Sequence, residues 1–372
     1  MITPSLFLHA DLAPLPGVVA PIPPQKYKNP RLVIRERELP VLDDFHVRVE
    51  MLYAGICGTD LHLAQRNPDT GYIRCSAPVE IPPEGRLIGH EGVGKAIAVG
   101  RHVSHIKPGD HLTFESILAC QRCVRCRRGD FNQCRESRLL GLEEDGLFSR
   151  VADVPASVAH TINDYRNGSD LATLACLEPA AVAYLACQNA RVRGADKVVV
   201  FGGGPIGLYS AIAARCIFGA SRIYVVDPIP YRRQLAREWC DHSLDVEEFF
   251  EAPPSEIDVV IESSGILENL NRVFPRINAN GRAVLLGRCG QPLRIDALDH
   301  MITNAISIVG SRGHLGGAFN DLLTLHRSGK FPLGAPITEI IDGLDNLQDY
   351  LLNPEKVLNE NCKVLVKFAG DE

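Results

Sequence analysis

The sequence predicts a two-domain α/β protein, one domain β-rich and the other built on a doubly wound parallel sheet. Three observations predict it. The chain has 372 residues, about twice the usual size of one domain. Its first half is rich in Gly and Pro and carries short β-branched runs, Arg31–Arg35, His46–Met51 and Gly94–Val99, with turn signals between them such as Lys107-Pro108-Gly109-Asp110. Beyond Asp170 the texture changes to an alternation of strand-like and helix-like segments, which implies parallel strands covered on both faces by helices.

Taken in order, Leu171–Ala190 is alanine- and leucine-rich with helical spacing and carries the chain out of the first domain. Lys197–Phe201 reads as an apolar strand and Pro205–Phe218 as a helix, followed by strand Arg222–Val226 and helix Pro230–Cys240. Asp258–Ile261, Ala283–Leu286 and Ser307–Val309 are further short strands, and the chain closes on a strand at Lys363–Phe368. No internal repeat or low-complexity segment interrupts this order.

Composition narrows the function. Hydrophobic residues make up 45% and charged residues 23%, with a formal net charge of −6, so there is ample material for cores and no basic field to attract nucleic acid. The start, MITPSLFLHADLAPLPG, is a poor export signal because its apolar stretch lacks a basic leader and is broken by Asp11 and prolines. No run of about 18 apolar residues suits a membrane span. A cytoplasmic, reducing setting is therefore expected, in which twelve cysteines serve as thiols or metal ligands rather than disulfides. Cys75, Cys176, Cys187, Cys216, Cys240, Cys289 and Cys362 are scattered and read as small apolar residues.

Strand Lys197–Phe201 runs into Gly202-Gly203-Gly204-Pro205-Ile206-Gly207, a G-x-G-x-x-G turn opening a helix. Glycine is needed there because a side chain would block the pyrophosphate and the close packing of helix on strand. Phosphates then sit at the positive end of the helix. Asp227 stands at the end of the next strand, where a carboxylate accepts the adenosine ribose hydroxyls and repels a 2′-phosphate, so NAD is expected over NADP. Arg232 and Arg233 follow on the next helix and leave room for NADP tolerance; a solvated basic pair reads the same way.

Two metal constellations stand out. Cys120, Cys123, Cys126 and Cys134 lie on one short stretch, and four thiolates can close a tetrahedron round zinc with no open position, which makes a structural site. An iron–sulfur cluster is the rival for this spacing. Arg122, Arg125, Arg127 and Arg128 surround it and offset the thiolate charge. The second set is dispersed: Cys57 in Cys-Gly-Thr-Asp, His90 and Glu91 in Gly-His-Glu-Gly, and Glu178 in Leu-Glu-Pro. One thiolate, one imidazole and two carboxylates suit a catalytic zinc with an exchangeable position, where the metal lowers an alcohol's pKa so that hydride can leave the carbon.

Together these motifs resemble the medium-chain, zinc-containing alcohol dehydrogenase family, and within it the polyol and sugar branch of sorbitol, glucose and threonine dehydrogenases. The resemblance runs from about Pro40 to Lys367, after a long N-terminal lead-in, with the motifs in the family's order. It implies a GroES-like catalytic domain with the structural-zinc lobe, residues 1–190 and 315–372, and an inserted Rossmann NAD-binding domain, residues 191–314. It also implies that Thr59 and His62 form a proton relay and that Asp60 orients His90. Where many members place a second cysteine on the catalytic zinc, this chain has Glu178, as in the polyol branch; Cys176 is the alternative ligand. Cys57 and His90 are expected on the metal, and Glu91 and Glu178 share the remaining positions.

The expected activity is NAD-dependent oxidation of a secondary alcohol on a polyol, sugar, cyclitol or amino-alcohol. Aldehyde reduction or dismutation is the alternative reaction, and a non-catalytic NAD-binding protein the alternative class. The polar loop Arg66–Arg86 is expected to shape the pocket, and the family resemblance implies a homo-dimer or homo-tetramer joined through the strand at Ser307–Val309.

Overall fold

The N-terminal lead-in is a hairpin. In the computed structural model, which describes residues 1–165 and 171–368, strand Ile2–Leu12 pairs antiparallel with Tyr27–Glu38. Leu6, Phe7 and Leu8 are buried in succession, so the first strand shows no polar/apolar alternation from which to read it. The short strand Arg86–Leu87 completes this three-stranded sheet. The loop between residues 66 and 86 is tied to the hairpin: the Ile73 and Ile81 amides donate to the carbonyl and hydroxyl oxygens of Tyr27.

A seven-stranded sheet forms the rest of the first compact unit. Its order is Ala159–Thr161, His111–Phe114, Gly92–Val99, His46–Gly55, Lys363–Lys367, Ile337–Asp342, with Val151–Pro155 also paired to His46–Gly55. The C-terminal strand Lys363–Lys367 thus lies beside the strand that leads to Cys57, pairing Leu365 with Gly55. The turn at Lys107–Asp110 forms as read: the Lys107 amide donates to Asp110 Oδ2 at 2.9 Å and Gly109 takes a φ of +96°.

The second unit holds a six-stranded, all-parallel sheet in the order His242–Leu244, Arg222–Val226, Lys197–Phe201, Ile257–Glu262, Ile277–Leu285, Ser307–Gly310. Val198, Val199, Val200 and Phe201 are all fully buried, as a strand covered on both faces requires. The order reverses at Lys197–Phe201, the switch point at which doubly wound sheets bind ligands.

By compactness the first unit comprises Met1–Glu178, Ile337–Val357 and the strand Lys363–Lys367, and the second Pro179–Pro336 with Leu358–Cys362. The sequence reading set these divisions at 190 and 315; the texture change around Asp170 lies outside the described residues. The single helix expected over Leu171–Ala190 is two, Leu171–Leu174 and Leu177–Asn189. Pro179 is the reason: without an N–H, and with its ring against the preceding turn, it belongs to the first turn of a new helix. The helix expected to reach Cys240 stops at Ala236, where the Arg237 and Trp239 amides close tighter i→i+3 turns.

Candidate catalytic and cofactor sites

Three of the four dispersed metal candidates, Cys57, His90 and Glu91, come together. Strand His46–Gly55 delivers Cys57 to the N-terminus of helix Gly58–Ala64, where the Cys57 amide donates to Asp60 Oδ2 at 3.0 Å. Gly89, with a φ of +91°, turns the chain against the ring of Phe148, which lies 2.5 Å from where a Cβ would stand; His90 and Glu91 follow directly. Cys57, His90 and Glu91 bring one donor atom each to within 4.8 Å of one another.

Glu178 is buried next to this trio, and its Oε1 accepts the Ser116 hydroxyl at 2.6 Å. Glu91 is engaged by Lys363, a fully buried lysine whose Nζ donates to Glu91 Oε2 and, at 2.9 Å, to the Ile56 carbonyl. Burial raises the Asp60 and Glu91 carboxyls above their ordinary values, and the cations His90 and Lys363 oppose it. His90 Nδ1 and Asp60 Oδ1 face each other at 3.7 Å, too far for a hydrogen bond, and each is buried with no other partner among the described residues.

Thr59 and His62 are three positions apart on one helix and so share a face. Thr59 is half-buried, while His62 is exposed and held below its ordinary pKa by the surrounding protein and by the charge of Arg74. Ser116 and Lys363 are the two residues of this site that the sequence reading missed. A charged residue opening the apolar strand Lys363–Lys367 was the one available signal for Lys363; nothing in the sequence singles out Ser116.

The four-cysteine lobe also assembles. Sulfur–sulfur separations are 3.6 Å for Cys123–Cys126, 3.9 Å for Cys123–Cys134 and 4.0 Å for Cys120–Cys126. A zinc tetrathiolate has edges of about 3.8 Å, given Zn–S bonds near 2.3 Å. Within the cluster the Cys126 backbone amide leads the effects that draw the Cys123 thiol down to about 6, while burial pushes the Cys126 thiol up to about 12. Arg122 pairs with Glu136 at 2.9 Å, and Arg125, Arg127 and Arg128 lie exposed on the same lobe.

In the second unit the glycine turn is as tight as its motif demands. A Cβ on Gly207 would stand 1.7 Å from the Gly202 carbonyl oxygen, so helix Pro205–Cys216 packs on the strand only through glycine. The Asp227 carboxylate accepts the Gly203 amide through Oδ2 and the Ile229 amide through Oδ1, each at 2.7 Å. Gly204 caps the helix, and Pro205 and Ile206 begin it. The Arg232 guanidinium lies 3.5 Å from where a Gly204 Cβ would stand.

These donor sets fit the groups that the sequence implies. The candidate metal centre offers a thiolate, an imidazole and a carboxylate from Cys57, His90 and Glu91, a donor set whose chemistry suits zinc. The bare glycine turn is shaped for a pyrophosphate. Residues 43–164 match the alcohol dehydrogenase GroES-like domain, and residues 205–327 the zinc-binding dehydrogenase family.

The chain belongs to the zinc-containing medium-chain alcohol dehydrogenases. It is 29% identical over 327 residues to the L-threonine 3-dehydrogenase of Pyrococcus horikoshii, covering 84% of this chain and 89% of that protein. It is 28% identical over 301 residues to the sorbitol dehydrogenase of Halalkalibacterium halodurans, covering 78% and 83%. An alcohol dehydrogenase from Escherichia coli CFT073, solved in complex with NADH, superposes with a TM-score of 0.81 at 25% identity, covering 99% of each chain. The family assigns this dehydrogenase zinc and a nicotinamide dinucleotide as its cofactors.

Proposed function

We propose that this dehydrogenase oxidises a secondary carbinol on a polyol, sugar, cyclitol or amino-alcohol with NAD. The observation that carries the reading is the donor set Cys57, His90 and Glu91, with Glu178 beside it. Relatives named for threonine and sorbitol carry the same kind of substrate, a secondary alcohol flanked by polar groups.

When bound, zinc supplies a Lewis acid for the substrate oxygen, and NAD supplies the hydride acceptor. Cys57 and His90 would hold the zinc, with Glu91 and Glu178 sharing the remaining positions. Ser116 aims Glu178 by donating to one carboxylate oxygen, and Lys363 anchors Glu91 by its buried ammonium. Thr59 would take the alcohol proton at its hydroxyl oxygen and pass it toward His62, whose depressed basicity leaves the imidazole neutral and ready to accept it. Gly202, Gly204 and Gly207 admit the pyrophosphate to the helix N-terminus at Pro205 and Ile206, and Asp227 accepts the ribose hydroxyls. Cys120, Cys123, Cys126 and Cys134 would hold the second zinc, which shapes the lobe.

We further propose that the protein works in the cytoplasm as a homo-oligomer. No disulfide forms among the described cysteines, which suits a reducing setting. The edge strand Ser307–Gly310 and the preceding helix, with Leu298 58% and Ile302 69% exposed, offer an apolar edge for a second copy. No helix among the described residues is long and apolar enough to cross a membrane.

The test is a panel of polyols, sugars, cyclitols and amino-alcohols with NAD, read by NADH absorbance on zinc-loaded protein. Turnover confined to secondary carbinols with polar neighbours supports the assignment. Turnover on simple primary alcohols alone, or on none, would sink it.

A further inference from the structure

The second unit carries a small cavity at the end of its sheet opposite the glycine turn. It measures about 330 Å³ and is lined by Arg191, Arg193, Asn280, Arg282, Ala305 and Ser307. Arg193 precedes strand Lys197–Phe201 and Ser307 opens strand Ser307–Gly310, so the cavity sits at the amino ends of the parallel strands. The glycine turn follows the other end of Lys197–Phe201, a five-residue strand about 16 Å long.

Three guanidinium groups meet at this cavity, and their surroundings differ. Arg282 has a side chain 14% exposed and is held by the chain: Nε donates to the Ala190 carbonyl at 2.8 Å and Nη2 to Asp196. The same Asp196 oxygen accepts the Arg193 backbone amide at 2.9 Å, and this carboxylate answers the charge of Arg282. Arg191 and Arg193 are exposed, and neither side chain makes a hydrogen bond or ion pair among the described residues. Nor does the end of helix Leu177–Asn189 require them. Its last carbonyls are taken by backbone amides, Gln188 by Arg191 and Cys187 by Val192, and the Ala190 carbonyl by Arg282. Two uncompensated cations at one cavity, in a chain of net charge −6, make a local field that attracts an anion.

The backbone around the cavity is also unusual. Five non-glycine residues have a positive φ among the described residues, and three of them line it: Arg191 at +50°, Asn280 at +61° and Ala305 at +50°. Asparagine tolerates this left-handed region, whereas arginine and alanine occupy it at a cost. Arg191 holds the position just past a helix that normally falls to glycine. Backbone strain of this kind gathers where ligands are clamped.

We propose that this cavity binds a phosphate group, carried as the free ion or on a small phosphate monoester. Arg191 and Arg193 supply two positive charges and the forked donors that match phosphate oxygens, while Asn280 and Ser307 add neutral donors. A single carboxylate would leave one of the two cations unanswered. The volume lies at the small end of ligand cavities, which suits a compact anion.

The test is isothermal titration calorimetry of inorganic phosphate and of ribose 5-phosphate into zinc-loaded protein saturated with NADH, at constant ionic strength. Wild type is expected to bind at least one of them. A preference for phosphate identifies the free ion as ligand, and a preference for ribose 5-phosphate a monoester. The double variant R191Q/R193Q weakens binding by about tenfold or more, the size of a charge-assisted hydrogen bond, and leaves NADH affinity unchanged. R191K/R193K recovers part of the loss, and R237Q, which removes an exposed arginine outside the cavity, has no effect. R191G lowers the affinity while the melting temperature holds or rises, because glycine relieves the left-handed backbone. No binding by wild type, wild-type affinity in R191Q/R193Q, or an equal loss in R237Q overturns the proposal. So does an R191G variant that melts earlier and binds as before, which would give Arg191 a structural role alone.

Discussion

Lys363 Nζ lies buried against Glu91 Oε2 and donates to the carbonyl of Ile56, one residue before Cys57. Both side chains are 1% exposed. One ammonium therefore ties together the two loops that carry the metal donors. Removing it leaves a buried carboxylate uncompensated, which typically costs about 3–5 kcal/mol. Lys363→Met should lower the stability measured by urea unfolding on that scale, and adding Glu91→Leu should recover most of the loss. Equal instability of the single and double variants would show that the lysine acts by packing and not by charge.

Glu178 and Ser116 form a pair whose hydrogen bond is 2.6 Å. Glu178→Ala should lower kcat/KM for the best alcohol by about a hundredfold or more, with circular dichroism unchanged. Ser116→Ala, which only releases the carboxylate, should lower it by about ten- to a hundredfold. Near-normal kcat and zinc content in Glu178→Ala would remove Glu178 from the site.

The thiols of the four-cysteine lobe already stand at the spacing of a zinc tetrathiolate. Cys123→Ser should reduce the metal content from about two zinc ions per chain to about one. It should also promote aggregation, while alcohol turnover in the surviving soluble fraction persists. Metal analysis by plasma emission together with light scattering reads both effects.

Gly207 leaves 1.7 Å between a would-be Cβ and the Gly202 carbonyl oxygen. Gly207→Ala must push the helix off the strand, so NADH affinity should fall by about a hundredfold or more, on the scale of losing several phosphate contacts. Titration of NADH fluorescence measures it, and wild-type affinity in that variant would contradict the tight turn.

His62, although its side chain reaches solvent, is held below its ordinary pKa first by the partial loss of hydration among its neighbours and second by the charge of Arg74. The neutral imidazole therefore persists below the ordinary value of 6.5, and if His62 accepts the alcohol proton as proposed, the acid limb of kcat/KM should lie on that lower side. Arg74→Gln should move the limb toward higher pH. The same sign holds for stability: as pH falls below the ordinary value, the unfolded chain takes up the proton first, so this histidine withdraws stability. A limb that is unmoved in both Arg74→Gln and His62→Asn would exclude His62 from the proton path.

Much of this protein is decided within short stretches of sequence. The strand, glycine turn and helix at Lys197–Cys216 form a local unit whose steric demands are met by residues next to one another, so its motif could be read directly. Cys120, Cys123, Cys126 and Cys134 are equally local, because a tetrahedron of thiolates closes within one loop. The donors Cys57, His90 and Glu91 could be singled out by their flanking motifs, although the sequence does not show them meeting. Tertiary structure decided the rest. Lys363 reaches Glu91 because the C-terminal strand pairs with the strand ending at Gly55, a contact spanning 272 positions. Ser116 meets Glu178 across 62 positions. Such pairings depend on strand order and side-chain direction, which arise from packing the whole sheet and leave no periodic signal in the chain. The chemistry was therefore legible wherever its ligands were local or carried a flanking motif, and the groups that aim and neutralise those ligands emerged only on folding.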